Sequence, residues 1–161
     1  WNTTLTFMGS SGNKQVCLPL ESSGIYDFIV DWDDGNSDTI TTWDQAEVTH
    51  TYTSSGVYAL NITGTIIGWR FNNWGDQLKL IEIQQWGCLR LGNMGSYFSG
   101  CRNLVLTATD SLNLTGTTSL NQAFRNCTNL GSSGTVYSKV ICSATNMESM
   151  FYRASSFNQE I

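Results

Sequence analysis

Three stretches of the chain recur at a nearly constant interval: "NMGSYFSGCRNL", "SLNQAFRNCTNL" and "NMESMFYRASSF". Aligned, they put Met94, Leu120 and Met147 at one position and Phe98, Phe124 and Phe151 at a second. Cys101, Cys127 and Ala154 share a third, and Leu104, Leu130 and Phe157 a fourth. The spacing is 26 residues, then 27. A unit of that length with a few recurring apolar positions can bury them only against its own neighbours, so this half is expected to wind as a stack of similar units.

The first half has another rhythm. The runs "TLTF", "KQVCL", "YDFIVDW", "EVTHTY" and "VYALNI" are separated by "GSSGN", "ESSG", "DDGNSD" and "TSSG". Alternation with turn punctuation predicts half-buried strands of a small antiparallel sandwich. The segment "GTIIGWRFNNWGDQLKLIEIQQWG" bridges to the repeats, and "LKLIEI" within it reads as one more strand. The expected fold is therefore mainly β: a sandwich over 1–66, a junction and first coil over 67–88, and repeats over 89–161, the last of them incomplete.

The string "NMESMFYRASSFNQEI" resembles the BspA-type leucine-rich repeat of bacterial and protist surface proteins, whose units read approximately N-M-S-x-M-F-x-x-A-x-x-F-N-Q-D-I. The two earlier units keep the Met/Leu, Phe and Cys positions and lose the "FNQ" tail. In the first half, "VDWDDG" followed by "THTYTSSGVYALNITG" is similar to the Ig-like module of the polycystic-kidney-disease type (PKD), with its D-W-G-D-G and H-x-Y-x-x-x-G-x-Y-x-V patterns. Asp33 stands where that pattern more often has Gly, which bears on the turn there. The two resemblances imply an Ig-like sandwich followed by a short leucine-rich-repeat solenoid in a surface protein. They imply no reaction, since function belongs to sites rather than folds.

Composition narrows the partners. Only 13% of residues are charged, against about 25% in average globular domains, and Ser, Thr, Asn and Gly fill the deficit. That bias suits an extracellular or cell-surface β protein. A net charge of −5 and a pI near 4.6 argue against nucleic acid, which needs clustered Lys and Arg. No run approaches the roughly 18 apolar residues of a membrane span. The chain begins at Trp1 rather than Met, so an N-terminal piece is expected to have been removed. Sequons at Asn2, Asn61, Asn113 and Asn126 are about what chance supplies in a chain this rich in Asn, Ser and Thr; they permit glycosylation without arguing for it.

Few residues suggest chemistry. Asp31, Asp33, Asp34, Asn36 and Asp38 form the densest set of hard oxygen ligands, but Gly35 and Thr42 fall fifth and twelfth from Asp31, where an EF-hand needs Gly sixth and Glu twelfth. A looser calcium site, the one cofactor the sequence raises, competes with a hairpin turn whose Asp and Asn side chains bond their own backbone; the turn is preferred. His50, the only histidine, lies in a strand pattern without a nucleophile elbow and reads as structural. No arrangement pairs Glu47, Asp76, Glu82, Asp110 or Glu148 for glycoside hydrolysis, so no enzyme is expected. Trp69, Trp74 and Trp86 either cap the first coil or offer sugar rings a stacking platform, with the cap preferred.

Five cysteines cannot all pair within one chain. Cys101 and Cys127 sit one repeat apart, and adjacent coils separated by about 5 Å lie within disulfide range. The competing reading is a ladder of buried thiols continued by Ala154.

The unit that opens at residue 146 stops before it closes, leaving Met150, Phe151, Phe157 and Ile161 at an edge. Such an edge is expected to be covered by further repeats of the same chain or by an identical subunit docked head-to-tail, with "WNTTLTF" a candidate strand for the neighbour. The expected function is a self-associating filament, appendage or surface subunit; an adhesin binding surface glycans through the Trp-rich junction is the alternative.

Overall fold

The alternation of the first half becomes β1 (Gln15–Cys17), β2 (Leu20–Asp31), β3 (Ser37–Ile40), a 3-10 turn (Ala46–Val48), β4 (Thr49–Thr51) and β5 (Asn61–Trp69). Three short strands follow: β6 (Glu82–Ile83), β7 (Leu89–Arg90) and β8 (Val105–Leu106). This is a computed structural model, and it describes residues 1–131 and 143–158. The chain is mainly β. Among the described residues no helix is long and apolar enough to cross a membrane.

β2 pairs antiparallel with β3 and β5, and β5 pairs in parallel with β7, so the main sheet runs β3-β2-β5-β7. β1 and β4 form a separate antiparallel pair, and β6 and β8 a parallel one. Period-two alternation sends Tyr26, Phe28 and Val30 of β2 inward, where Val16, Leu18, Ile40, Tyr52 and Ile66 join them, while Ile25 and Ile29 face out. The β2 to β5 register shifts between Leu20 and Ile25. There the Tyr26 hydroxyl accepts from the Glu21 N–H at 2.8 Å and lies 2.8 Å from the Gly68 carbonyl, and burial pushes its phenol up to about 12. The expected boundary at 66 falls inside β5, and β7, from the stretch expected to hold repeats, completes the first half's sheet. Of "LKLIEI", only Glu82–Ile83 is strand.

The repeated units are built from turns. In each, successive N–H groups bond the carbonyl three residues back: Cys101 to Phe98 and Leu104 to Cys101, then Cys127 to Phe124 and Leu130 to Cys127, then Ala154 to Phe151 and Phe157 to Ala154. A three-residue step brings every third side chain to the same side, which is why the Phe, Cys and Leu positions share a face. Each unit also holds two residues in the left-handed region at matching places. In the three aligned units one series is Ser96, Gln122 and Ser149 and the other, four residues on, is Gly100, Asn126 and Arg153; in the 67–88 stretch the two left-handed residues Asn72 and Asn73 are adjacent. L side chains enter that region at a cost, so its recurrence at a fixed offset marks a backbone path shared by the three aligned units. The first aligned position is not uniformly core: Leu120 is buried, but Met94 and Met147 are 57% and 51% exposed.

Candidate functional site

Along the side of the Phe positions, rows of backbone bonds run from each unit to the next, while bonds such as Asn129 to Arg102 and Thr145 to Thr118 run the other way elsewhere. Phe71, Asn72 and Asn73 donate to Tyr97, Ser96 and Ser99. Ser96, Phe98 and Gly100 donate to Asn121, Ala123 and Arg125, and Leu120, Gln122, Phe124 and Asn126 donate to Asn146, Glu148, Met150 and Tyr152. In the last unit the corresponding N–H groups are those of Met147, Ser149, Phe151 and Arg153, and none has an acceptor among the described residues.

The side chains change in step. Trp86 meets Phe98 edge-on at 5.7 Å, Phe98 stacks on Phe124 at 5.2 Å, Phe124 on Phe151 at 5.7 Å, and Phe151 on Phe157 at 4.0 Å. Phe98 and Phe124 are fully enclosed, whereas Met150, Phe151 and Phe157 are only partly buried. Beside them Tyr152 is exposed, with the Arg125 and Arg153 guanidinium groups 5.3 and 5.2 Å from its ring centroid. Ile161, the fourth residue expected at this edge, lies outside the described residues.

The opposite end of the stack is covered. Trp1 packs against Trp69 and Phe71, and the Arg70 N–H donates to the Pro19 carbonyl. Lys79, fully buried, places Nζ within 3.0 Å of the carbonyls of Ser11, Gly12 and Gln15 and of Ser11 Oγ, and 3.2 Å from Asp76 Oδ1. Asp76 in turn accepts from the N–H groups of Ser11 and Cys17. Burial pushes the Lys79 ammonium down in pKa, against the pull of Asp76. The start of the segment expected to reach a neighbour is already engaged: Trp1 and Tyr58 exchange backbone bonds, and Thr3, fully buried, bonds Gly56.

The other predicted residues are placed as follows. The acidic turn is spread by its own bonds. Asp31 Oδ1 accepts from the Asp33 N–H, Asp33 Oδ2 from the Ala59 N–H, Asp38 Oδ2 from Trp32 Nε1, and Asp34 from Asn36 and His50 Nε2. No group of three or more His, Cys, Asp or Glu side chains that could hold a metal ion occurs among the described residues. Burial pushes the Asp34 carboxyl up, but the bonds from His50 and Asn36 outweigh it and hold it below the usual carboxylate range. His50 stacks on Trp32 at 4.7 Å, and Asp33 takes the left-handed conformation (φ 64°) that a Gly there would enter freely.

Trp69 and Trp86 are buried, and Trp74, 57% exposed, lies over Gly9, so the three present no shared stacking surface. The expected alternative of a bridge between Cys101 and Cys127 is not formed. Both are free buried thiols, Cys127 Sγ lies 3.0 Å from the Phe98 carbonyl, and burial pushes its thiol up to about 12. Among the sequons, Asn61 and Asn113 are exposed and Asn2 and Asn126 half-buried.

These observations define a mainly β protein with recurring, mutually stacked units and, among the described residues, an unpaired donor row in the last of them. Residues 65–161 match the family described as Mycoplasma protein of unknown function, DUF285, and the chain belongs to that family. No curated protein and no solved structure matches it.

Proposed function

We propose that this protein is an extracellular structural or surface subunit that self-associates head-to-tail through the open face of its last repeat, as in a filament or appendage. The observation that carries this reading is the donor row at Met147, Ser149, Phe151 and Arg153, whose counterparts Leu120, Gln122, Phe124 and Asn126 all bond the next unit, as do Ser96, Phe98 and Gly100 before them. Unpaired edge donors beside half-covered aromatics favour pairing with another chain. The finer architecture belongs to the same proposal: an Ig-like sandwich of the PKD type followed by a short leucine-rich-repeat solenoid. The Phe stack and the matching left-handed residues support the solenoid. The Trp32 to His50 stack and the bond from Tyr52 Oη to the Trp32 carbonyl at 3.0 Å support the PKD-like module.

Sedimentation velocity over a micromolar concentration series, with negative-stain microscopy of the same samples, tests it. The native protein is expected to grow with concentration into linear particles, and Phe157→Asp to stay a single copy with its β-sheet spectrum intact. A native protein that stays a single copy throughout would sink the reading and leave the open face to further repeats of a longer chain.

A further inference from the structure

Head-to-tail association needs a second, different surface on each copy, and the proposed function names only the first. A groove of about 570 Å³ opens where the first half meets the 67–88 unit. Its floor is Trp69 and Trp86, and its walls include the partly exposed Leu60, Ile62 and Ile83. The volume lies in the range of pockets that enclose a ligand, ample for two phenyl rings.

The groove also borders an incompletely paired strand. β7 covers β5 only at Ile66 and Ile67. Ahead of that, the Cys88 thiol donates to the Ile62 carbonyl at 3.4 Å. A thiol is a weak donor, standing where a neighbouring strand would bring an N–H. The open face carries such N–H groups, together with half-covered phenyl rings. Charge agrees. Among the described residues, Arg125 and Arg153 outnumber Glu148 at the open face, while the groove's carboxylate is Glu82.

We infer that this junction groove is the socket that receives the last repeat of a second copy, Phe151 and Phe157 entering it and the donor row meeting the free stretch of β5. The inference rests on the self-association proposed above. Because face and socket differ, the contact does not close as a two-fold pair: each added copy leaves a face and a socket free, which builds a filament unless the rotation closes a ring.

A mixing experiment tests it. Leu60→Glu spoils the socket and Phe157→Asp the face, both at side chains that are only partly buried in the free copy. Each variant alone is expected to stay single, and an equimolar mixture to yield two-copy particles and nothing longer. Cys88 alkylation, mapped by mass spectrometry, is expected to be lost in native assemblies and to persist in both variants alone. If Leu60→Glu assembles like the native protein, or Cys88 stays reactive within native assemblies, the socket is wrong and self-association stands. If the native protein never assembles, both fall. Should Leu60→Glu fail to fold, the Cys88 labelling of native assemblies decides alone.

Discussion

The two ends of the repeat stack receive opposite treatment. At the near end the first half lies over the 67–88 unit, with Trp1 on Phe71 and a fully buried Lys79 and Asp76 enclosed by carbonyls and N–H groups of Ser11 to Cys17. At the far end the same kind of unit has four donors unmet among the described residues and its phenyl rings half covered. The three-residue turn recurs at both, Trp74 bonding Phe71 as Ala154 bonds Phe151. What differs is the neighbour. A repeat unit obtains its stability from what stacks on it, so the near end should be the firm end of the molecule and the far end the labile one.

The largest effect should come from breaking the near end. Lys79→Ala leaves the Asp76 carboxylate buried without its cation, and loss of one partner of such a pair costs about 3–5 kcal/mol. Urea unfolding should show that loss, and replacing both residues by apolar ones of similar volume should restore much of it. A cost for Lys79→Ala below about 1 kcal/mol would mean that the near end is not tied where the geometry puts it.

The far end sharpens the contrast. Phe124→Ala removes a ring enclosed between Phe98 and Phe151 and should cost about 3–5 kcal/mol. Phe151→Ala, at the equivalent position one unit on, should cost under about 2 kcal/mol in the single copy, because half of its surface gain is missing. Equal costs in dilute solution would show that something already covers the far end.

Much of this was legible in the sequence, and the exceptions share a cause. The period of 26 and 27 residues located the Phe, Cys and Leu positions that the turns bring to one face, because a repeat writes its core at a fixed offset. Alternation located β2 and β5, since a strand buried on one face shows its period directly. Lys79 escaped. Within "LKLIEI" it reads as an outward polar residue, and its partners Ser11 to Gln15 are 64 to 68 residues away, beyond any local pattern. The same distance hid the groove, whose walls come from β5, the loop before it and the β6 region. Met94 and Met147 misled in the other direction: a recurring apolar type suggested core, yet it faces out in two units of three. The donor row was invisible because backbone groups carry no letter; only the unfinished apolar pattern pointed to that edge.

The smallest effect concerns how the near end is held to the next unit. Asp110, from the repeat region, accepts the N–H groups of Trp86 and Gly87 at 3.0 and 2.8 Å. Burial pushes its carboxyl up, but the backbone bonds of Gly87 and Trp86 outweigh it and hold it below the usual value, which is about 3.9. A carboxylate depressed in the folded state adds stability that is fully present above its unfolded pKa and lost as pH falls through its folded one. The site is open to solvent, so the contribution should stay below about 1 kcal/mol. Asp110→Asn should therefore lower stability slightly at pH 7, and the gap between variant and native protein should close as pH falls through the depressed pKa of the native carboxyl and it takes up its proton. A gap that persists at pH 2 would mean that the side chain's shape rather than its charge secures the Trp86 turn, and that the aromatic packing of Trp86 on Phe98, not this carboxylate, joins the near end to the stack.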